Sequence, residues 1–229
     1  MTLEIIATNL SDAKIAEKAG ADRIELSPSM LELGITPSYG LIERVASEIK
    51  IPFHVIIRPH SQSFVYSEDD VKVMERDIEM VKKLGGNGVV FGPLTEEGTI
   101  DEEVLKRLLY VAEDLDVTIH KAFDFVRDQE EALYCLAKYP QIKRIGTSGG
   151  NQPAPEVPSV IKNLIRLAEG TSLEIMIAGG LLPSNFEKFY QEVRPKEVHF
   201  GSGVRVEENY LLPLDFEKIA YVKSILQKY

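Results

Sequence analysis

Cysteine is nearly absent: Cys135 stands alone in 229 residues, so no disulfide can form within the chain. That fits a reducing compartment. Positive charge is also short, with Lys plus Arg at 26 against 36 for Asp plus Glu, a net charge of −10. Non-specific nucleic-acid binding needs a basic surface to neutralise phosphates, and this balance argues against it. It leaves room for a small anion in a local basic pocket. Long apolar runs are missing too. The opening "MTLEIIATNLSDAKIAEKAG" has neither the basic stretch nor the apolar core of a signal peptide, and no transmembrane segment is read. The expectation is a cytoplasmic protein without nucleic-acid or membrane partners. No Gly/Ser-rich linker divides the chain, so residues 1–229 are read as one domain.

What is present is enough for a large core, at 44% hydrophobic and 27% charged residues. Short apolar runs start near residues 3, 22, 53, 88, 117, 142, 174 and 197, each followed by a helical pattern. "SEDDVKVMERDIEMVKKLG" opens on Ser67 as an N-cap and closes on Gly85, and the last helix is placed at about 215–228. "KAGADRIEL" and "KLGGNGVVF" form a weak internal repeat of helix end, turn and strand. Alternating strands and helices imply parallel strands with helical crossovers. Eight such units in this length predict a TIM (β/α)8 barrel. The rival doubly wound sheet calls for a glycine-rich turn after the first strand, and "TNLSDA" has no glycine there.

Strand side chains alternate between faces, so parity assigns each one. Ile24 and Leu26 face the helices, which turns Arg23, Glu25 and Ser27 inward. The same logic turns in His54, Ile56 and Arg58, then Thr118 and His120, then Glu174, Met176 and Ala178, then Glu197 and His199, with Glu4 from the first strand. Groups near strand starts (Glu4, Arg23, His54, Glu174, Glu197) read as an internally ion-paired core. Barrel active sites form at the C-terminal ends of strands. Glu25, Arg58, His120 and His199 lie there, with Asp124 just beyond, and these are the catalytic candidates. In "TIHKAFDF" (118–125), Asp124 is expected to fold back onto His120, fix its tautomer and raise its basicity, while Lys121 points outward. Ser148 and Gly149 after strand 6, Gly179 and Gly180 after strand 7, and Gly201 and Ser202 after strand 8 are candidate anion-binding residues.

The ordered set "ADRIEL", "GITPS", "IRP" with "FVYS", "TIHKAFD", "TSGG", "MIAGG" and "EVH" resembles the CutC family of copper homeostasis proteins, over about 200 residues. The resemblance implies a TIM barrel, a cytoplasmic homodimer or higher homo-oligomer, and a role in copper handling, with copper as the implied ligand. It brings no established reaction. The family's cysteine after "RIEL" is Ser27 here, its glycine pair before "TPS" is Leu33-Gly34, and its "RPRGG" turn is "RPHSQ", which puts His60 in place of an arginine. Phe200 stands where a serine commonly follows the last histidine.

Cu(I) prefers thiolate and thioether ligands. Cys135 lies in a helical pattern and reads as core, and the five methionines form no cluster in sequence. Of the four histidines, only His120 and His199, joined by His60 from its loop, can converge at the mouth. No metal-ligand set is assigned. Two functions stay open: copper bound at the barrel mouth, or an enzyme acting on a small anionic metabolite. In the second, Arg58 and the glycine loops hold the anion and the histidines and carboxylates do acid–base work.

Overall fold

In each strand one parity is almost wholly Val, Ile, Leu or Phe, and burying that parity against helices forces the sheet to curl and close. The computed structural model describes residues 1–229. Its strands are β1 (Thr2–Ala7), β2 (Arg23–Leu26), β3 (Phe53–Ile56), β4 (Gly88–Phe91), β5 (Asp116–Ile119), β6 (Ile142–Thr147), β7 (Glu174–Ala178) and β8 (Glu197–Phe200). All pair in parallel in chain order, and β1 closes on β8. The helices are α1 (Leu10–Lys18), α2 (Tyr39–Glu48), α3 (Glu68–Lys83), α4 (Glu102–Ala112), α5 (Gln129–Leu136), α6 (Pro158–Ala168), α7 (Pro183–Val193) and α8 (Phe216–Lys228). No helix is long and apolar enough to cross a membrane. The fold is the TIM barrel that the strand count predicts.

Local chemistry sets the helix limits. Ser67 and Asp70 form a reciprocal capping box at the start of α3, and Asp215 caps α8 through Glu217 and Lys218. The core lies between strands and helices. Ile24, Val55, Val89, Ile119, Ile175 and Phe200 are completely buried there. Each such side chain contributes roughly 1.5–3 kcal/mol.

The lower barrel is polar and paired. Arg23 bridges Glu4 and Glu197, the latter at 2.6 Å. Arg144 reaches Glu197 at 3.0 Å, Asp116 at 3.3 Å and Thr118 at 3.1 Å. This is the ion-paired core expected of Glu4, Arg23 and Glu197. Glu174 instead opens β7 partly exposed and pairs with Lys196 at 2.9 Å. Burial holds His54 neutral, with its pKa pushed down to about 3.

Candidate active site

Above the ion-paired layer the barrel opens into a cavity of about 270 Å³. Its floor is apolar, formed by Ile6, Ile56, Val90 and Met176. Its polar groups come from opposite sides: Glu25 and His199 from β2 and β8, His120 and Lys121 from the end of β5. Tyr210, Gly179, Gly180, Gly201 and Ser202 complete the rim.

β2 and β8 flank β1, so Glu4, Glu25 and His199 meet. His199 Nδ1 lies 2.7 Å from Glu4 Oε1 and 3.9 Å from Glu25 Oε2. Burial opposes ionisation of Glu4, but Arg23 and the hydrogen bond with His199 prevail and hold its pKa well below the usual carboxylate range. An ionised Glu4 at that distance keeps the Nδ1 proton in place. Burial also opposes charge on His199, yet its pKa rises, because Glu4 accepts its hydrogen bond and both carboxylates stabilise the cation. Glu25 lacks a direct partner of that kind. Burial pushes its pKa up to about 7, His199 works against the shift, and the charge on Glu4 adds to it. A carboxyl with a pKa of about 7 thus stands beside an imidazole favoured in its charged form.

Ligand atoms of Glu4, Glu25 and His199 all lie within 4.8 Å of one another, close enough to ask whether they hold a metal. The chemistry fits poorly. Arg23 already neutralises Glu4, and the nearest imidazole nitrogen carries a proton. Softer donors are committed as well: Ser27 Oγ donates to Met30 Sδ at 3.1 Å and Arg23 Nη2 to Met176 Sδ at 3.3 Å. Cys135 sits on α5, outside the cavity, with its thiol pushed up to about 11 by burial and by Glu102.

On the far side, "TIHKAFDF" departs from expectation. β5 ends at Ile119, and His120 caps a 3₁₀ turn over Lys121–Phe125. Its Nδ1 accepts a hydrogen bond from the Ala122 N–H at 3.1 Å. The ring fills space that Gly92 leaves open: a Cβ on residue 92 would stand 2.9 Å from Nδ1. A neutral imidazole that accepts at Nδ1 carries its proton at Nε2. Nε2 is buried and has no partner. Burial, aided by the nearby Arg58 charge, lowers the pKa to about 3. The expected carboxylate on His120 is therefore absent, and the ring is less basic rather than more.

Asp124 turns the other way. It accepts from the Ser148 and Gly150 N–H groups at 3.0 and 3.1 Å, from the hydroxyls of Thr147 and Ser148, and from Lys121 Nζ at 3.0 Å. Two carboxylate oxygens absorb those donors, so the "TSGG" loop holds an anion of its own. Ser148 and Gly149 accordingly stay out of the cavity wall, whereas Gly179, Gly180, Gly201 and Ser202 line it. Lys121, expected to point outward, lines the cavity. Its Nζ is bound to Asp124 and, at 3.1 Å, to Ser148 Oγ, and it stands 3.8 Å from where a Gly179 Cβ would be.

Arg58 is also displaced from its expected place. It is buried behind the Met30–Glu32 turn, where Nη1 donates to the Gly34 and Glu32 carbonyls, and its guanidinium lies 4.9 Å over the Phe64 ring. It fixes the loop that brings Met30 and Leu33 to the cavity rather than facing a ligand. His60 leaves the mouth altogether and pairs with Asp70 at 3.4 Å.

No local pattern in the sequence marks Tyr210, which lines the cavity. It arrives on the segment after β8, which is anchored by the buried pair Arg205–Asp12 at 2.6 Å. Gly201 makes room for it, because a Cβ there would collide with the Tyr210 hydroxyl.

The chain as a whole is similar to known proteins. The CutC family model matches residues 1–204. A "family protein CutC" of Histophilus somni is 38% identical over 245 residues, covering 100% of both chains. The human "Copper homeostasis protein cutC homolog" is 38% identical over 197 residues, 86% of this chain and 71% of that one. The crystal structure of the "Putative Copper Homeostasis Protein CutC" from Streptococcus agalactiae superposes with a TM-score of 0.81 at 33% identity, covering 88% of this chain and 98% of that one. With the family match running from β1 past β8, this chain belongs to the CutC family.

Proposed function

We propose that this CutC-family protein binds a small phosphate- or carboxylate-bearing metabolite in the barrel mouth and moves a proton on it. The observation that carries the reading is His120 Nε2: a buried N–H donor in a fixed tautomer, without a partner, on a ring that lines the cavity. An unmet buried donor costs about 1–3 kcal/mol, which a ligand oxygen would recover. Lys121 supplies the positive charge. Its ammonium has three N–H groups, and two are used by Asp124 and Ser148. The third is left for an anion at the Gly179–Gly180 turn. Glu25 and His199 face this anchor from the opposite strands and supply acid–base groups.

Copper handling enters through the names of the relatives. Cu(I) bound directly at the mouth is the weaker reading, because the thioethers there are hydrogen-bonded and no thiolate is present. A cytoplasmic homodimer or higher homo-oligomer belongs to the same proposal and rests on the family resemblance.

The test is a calorimetric screen of metal-free protein against small phosphates and carboxylates. Binding of at least one, weakened tenfold or more by Lys121→Met, is the expected result. A wild-type protein that binds none of them, or whose ligand is indifferent to Lys121→Met, overturns the reading.

A further inference from the structure

Resting on the anion reading, we infer that the ligand is a keto or aldehyde anion, and that the reaction begun on it is removal of a proton from the carbon beside its carbonyl. Three placements lead there. His120 offers a neutral N–H donor rather than a cation, held by the Ala122 N–H and by the space over Gly92. A neutral donor suits an oxygen that gains negative charge during reaction, since it stabilises the oxyanion without protonating it beforehand. Glu25 stands across the cavity at the edge of the apolar floor of Ile6 and Ile56, with His199 Nδ1 3.9 Å from its Oε2. Its pKa of about 7 makes it a competent base at neutral pH. Lys121 sits beside His120 in sequence and on the same side of the mouth, so the anionic end and the carbonyl oxygen are gripped together.

The step balances without an oxidant or a further reactant. Glu25 takes the proton, and the electron pair of the broken C–H bond becomes a C=C bond. The carbonyl π pair moves to the oxygen, which His120 Nε2–H holds as an enolate. Protonated Glu25 then returns a proton to that carbon; in a hydroxy-carbonyl compound the hydroxyl proton passes to the enolate oxygen, Glu25 protonates the former carbonyl carbon, and the C–OH carbon becomes the new carbonyl. His199 hydrogen-bonds to Glu4 beside Glu25 and serves as a positioning residue through its charge.

The experiment uses the intact chain in D2O with dihydroxyacetone phosphate, ribulose 5-phosphate and, as a ligand without a carbonyl, glycerol 3-phosphate. Binding is read by calorimetry and loss of the C–H signal beside the carbonyl by proton NMR. The expected result is exchange of at least one keto phosphate tenfold or more above the buffer rate. Glu25→Gln should lower that exchange roughly 100-fold or more while keeping the ligand bound. His120→Phe should slow it at least tenfold. Binding to wild type without exchange overturns this inference and leaves the anion site standing. No binding of either keto phosphate overturns this inference, while the broader screen of phosphates and carboxylates decides the anion reading by itself. Exchange that persists in Glu25→Gln removes the assigned base and overturns the inference as stated.

Discussion

Glu25 and His120 are buried to a similar extent, 7% and 8% exposed, and burial makes each neutral form the favoured one. For a carboxyl that means a raised pKa, and for an imidazole a lowered one. The consequence for Glu25 is a pH-dependent cost. Its folded pKa of about 7 lies above its ordinary value of 4.5, so the folded state holds the extra proton between those limits. Stability from this group is complete below pH 4.5 and is lost as pH rises through 7. The shift corresponds to something on the order of 3 kcal/mol at alkaline pH. Glu25→Gln cannot ionise. It is expected to be more stable than wild type at pH 8.5 by a good part of that amount, and nearly equal to it at pH 5. Urea unfolding at the two pH values measures the difference, and an equal effect at both would contradict a raised carboxyl. The same substitution is predicted to stop proton transfer, so stability and activity should move in opposite directions at one residue.

At the scale of elements, Asp124 links the loops after β5 and β6. It gathers donors from Thr147, Ser148 and Gly150 and tethers Lys121. Asp124→Ala would leave the Ser148 and Gly150 N–H groups unmet where they are now paired, at about 1–3 kcal/mol each. A loss of roughly 3 kcal/mol in urea unfolding is expected, together with weaker anion binding as Lys121 loses its tether. A loss below about 1 kcal/mol would show that water replaces the carboxylate and that the loops are held by other contacts. The sequence made much of this scale legible, because alternation is a local property. It put Glu25 and His199 inside from their strand neighbours alone. It could not place Arg144, whose strand carries a bulge: Val117 pairs with Ile142 but Thr118 with Arg144, which skips Lys143 and resets the parity. Past the strand ends parity has no force. There Arg58 turned to the carbonyls of the Met30–Glu32 turn, Asp124 to the β6 loop, and Lys121 to the cavity, each following hydrogen-bond partners distant in sequence.

At the scale of the whole molecule, the question is where this fold could hold copper, and the distribution of soft donors answers it. Two thioethers, Met30 and Met176, reach the central cavity, and both are hydrogen-bonded. The single thiol is on the outer helical layer, in a groove with Glu102, Arg127 and Tyr134. The barrel wall separates the two, so no arrangement of the closed barrel lets Cys135 join the methionines at one ion. Its thiol pKa of about 11 also leaves little thiolate at neutral pH. Ser27, next to the Met30 turn, holds a hydroxyl that donates to the Met30 sulfur. Competition titration of the protein against a Cu(I) chelator is therefore expected to show no tight one-to-one site. Ser27→Cys should create one, because it sets a thiol donor beside the sulfur of Met30, which lines the mouth. A tight wild-type site that survives Cys135→Ser but is lost in Met30→Leu would place copper in the cavity and refute the donor argument. Copper capture abolished by Cys135→Ser would place it in the outer groove, away from the acid–base groups.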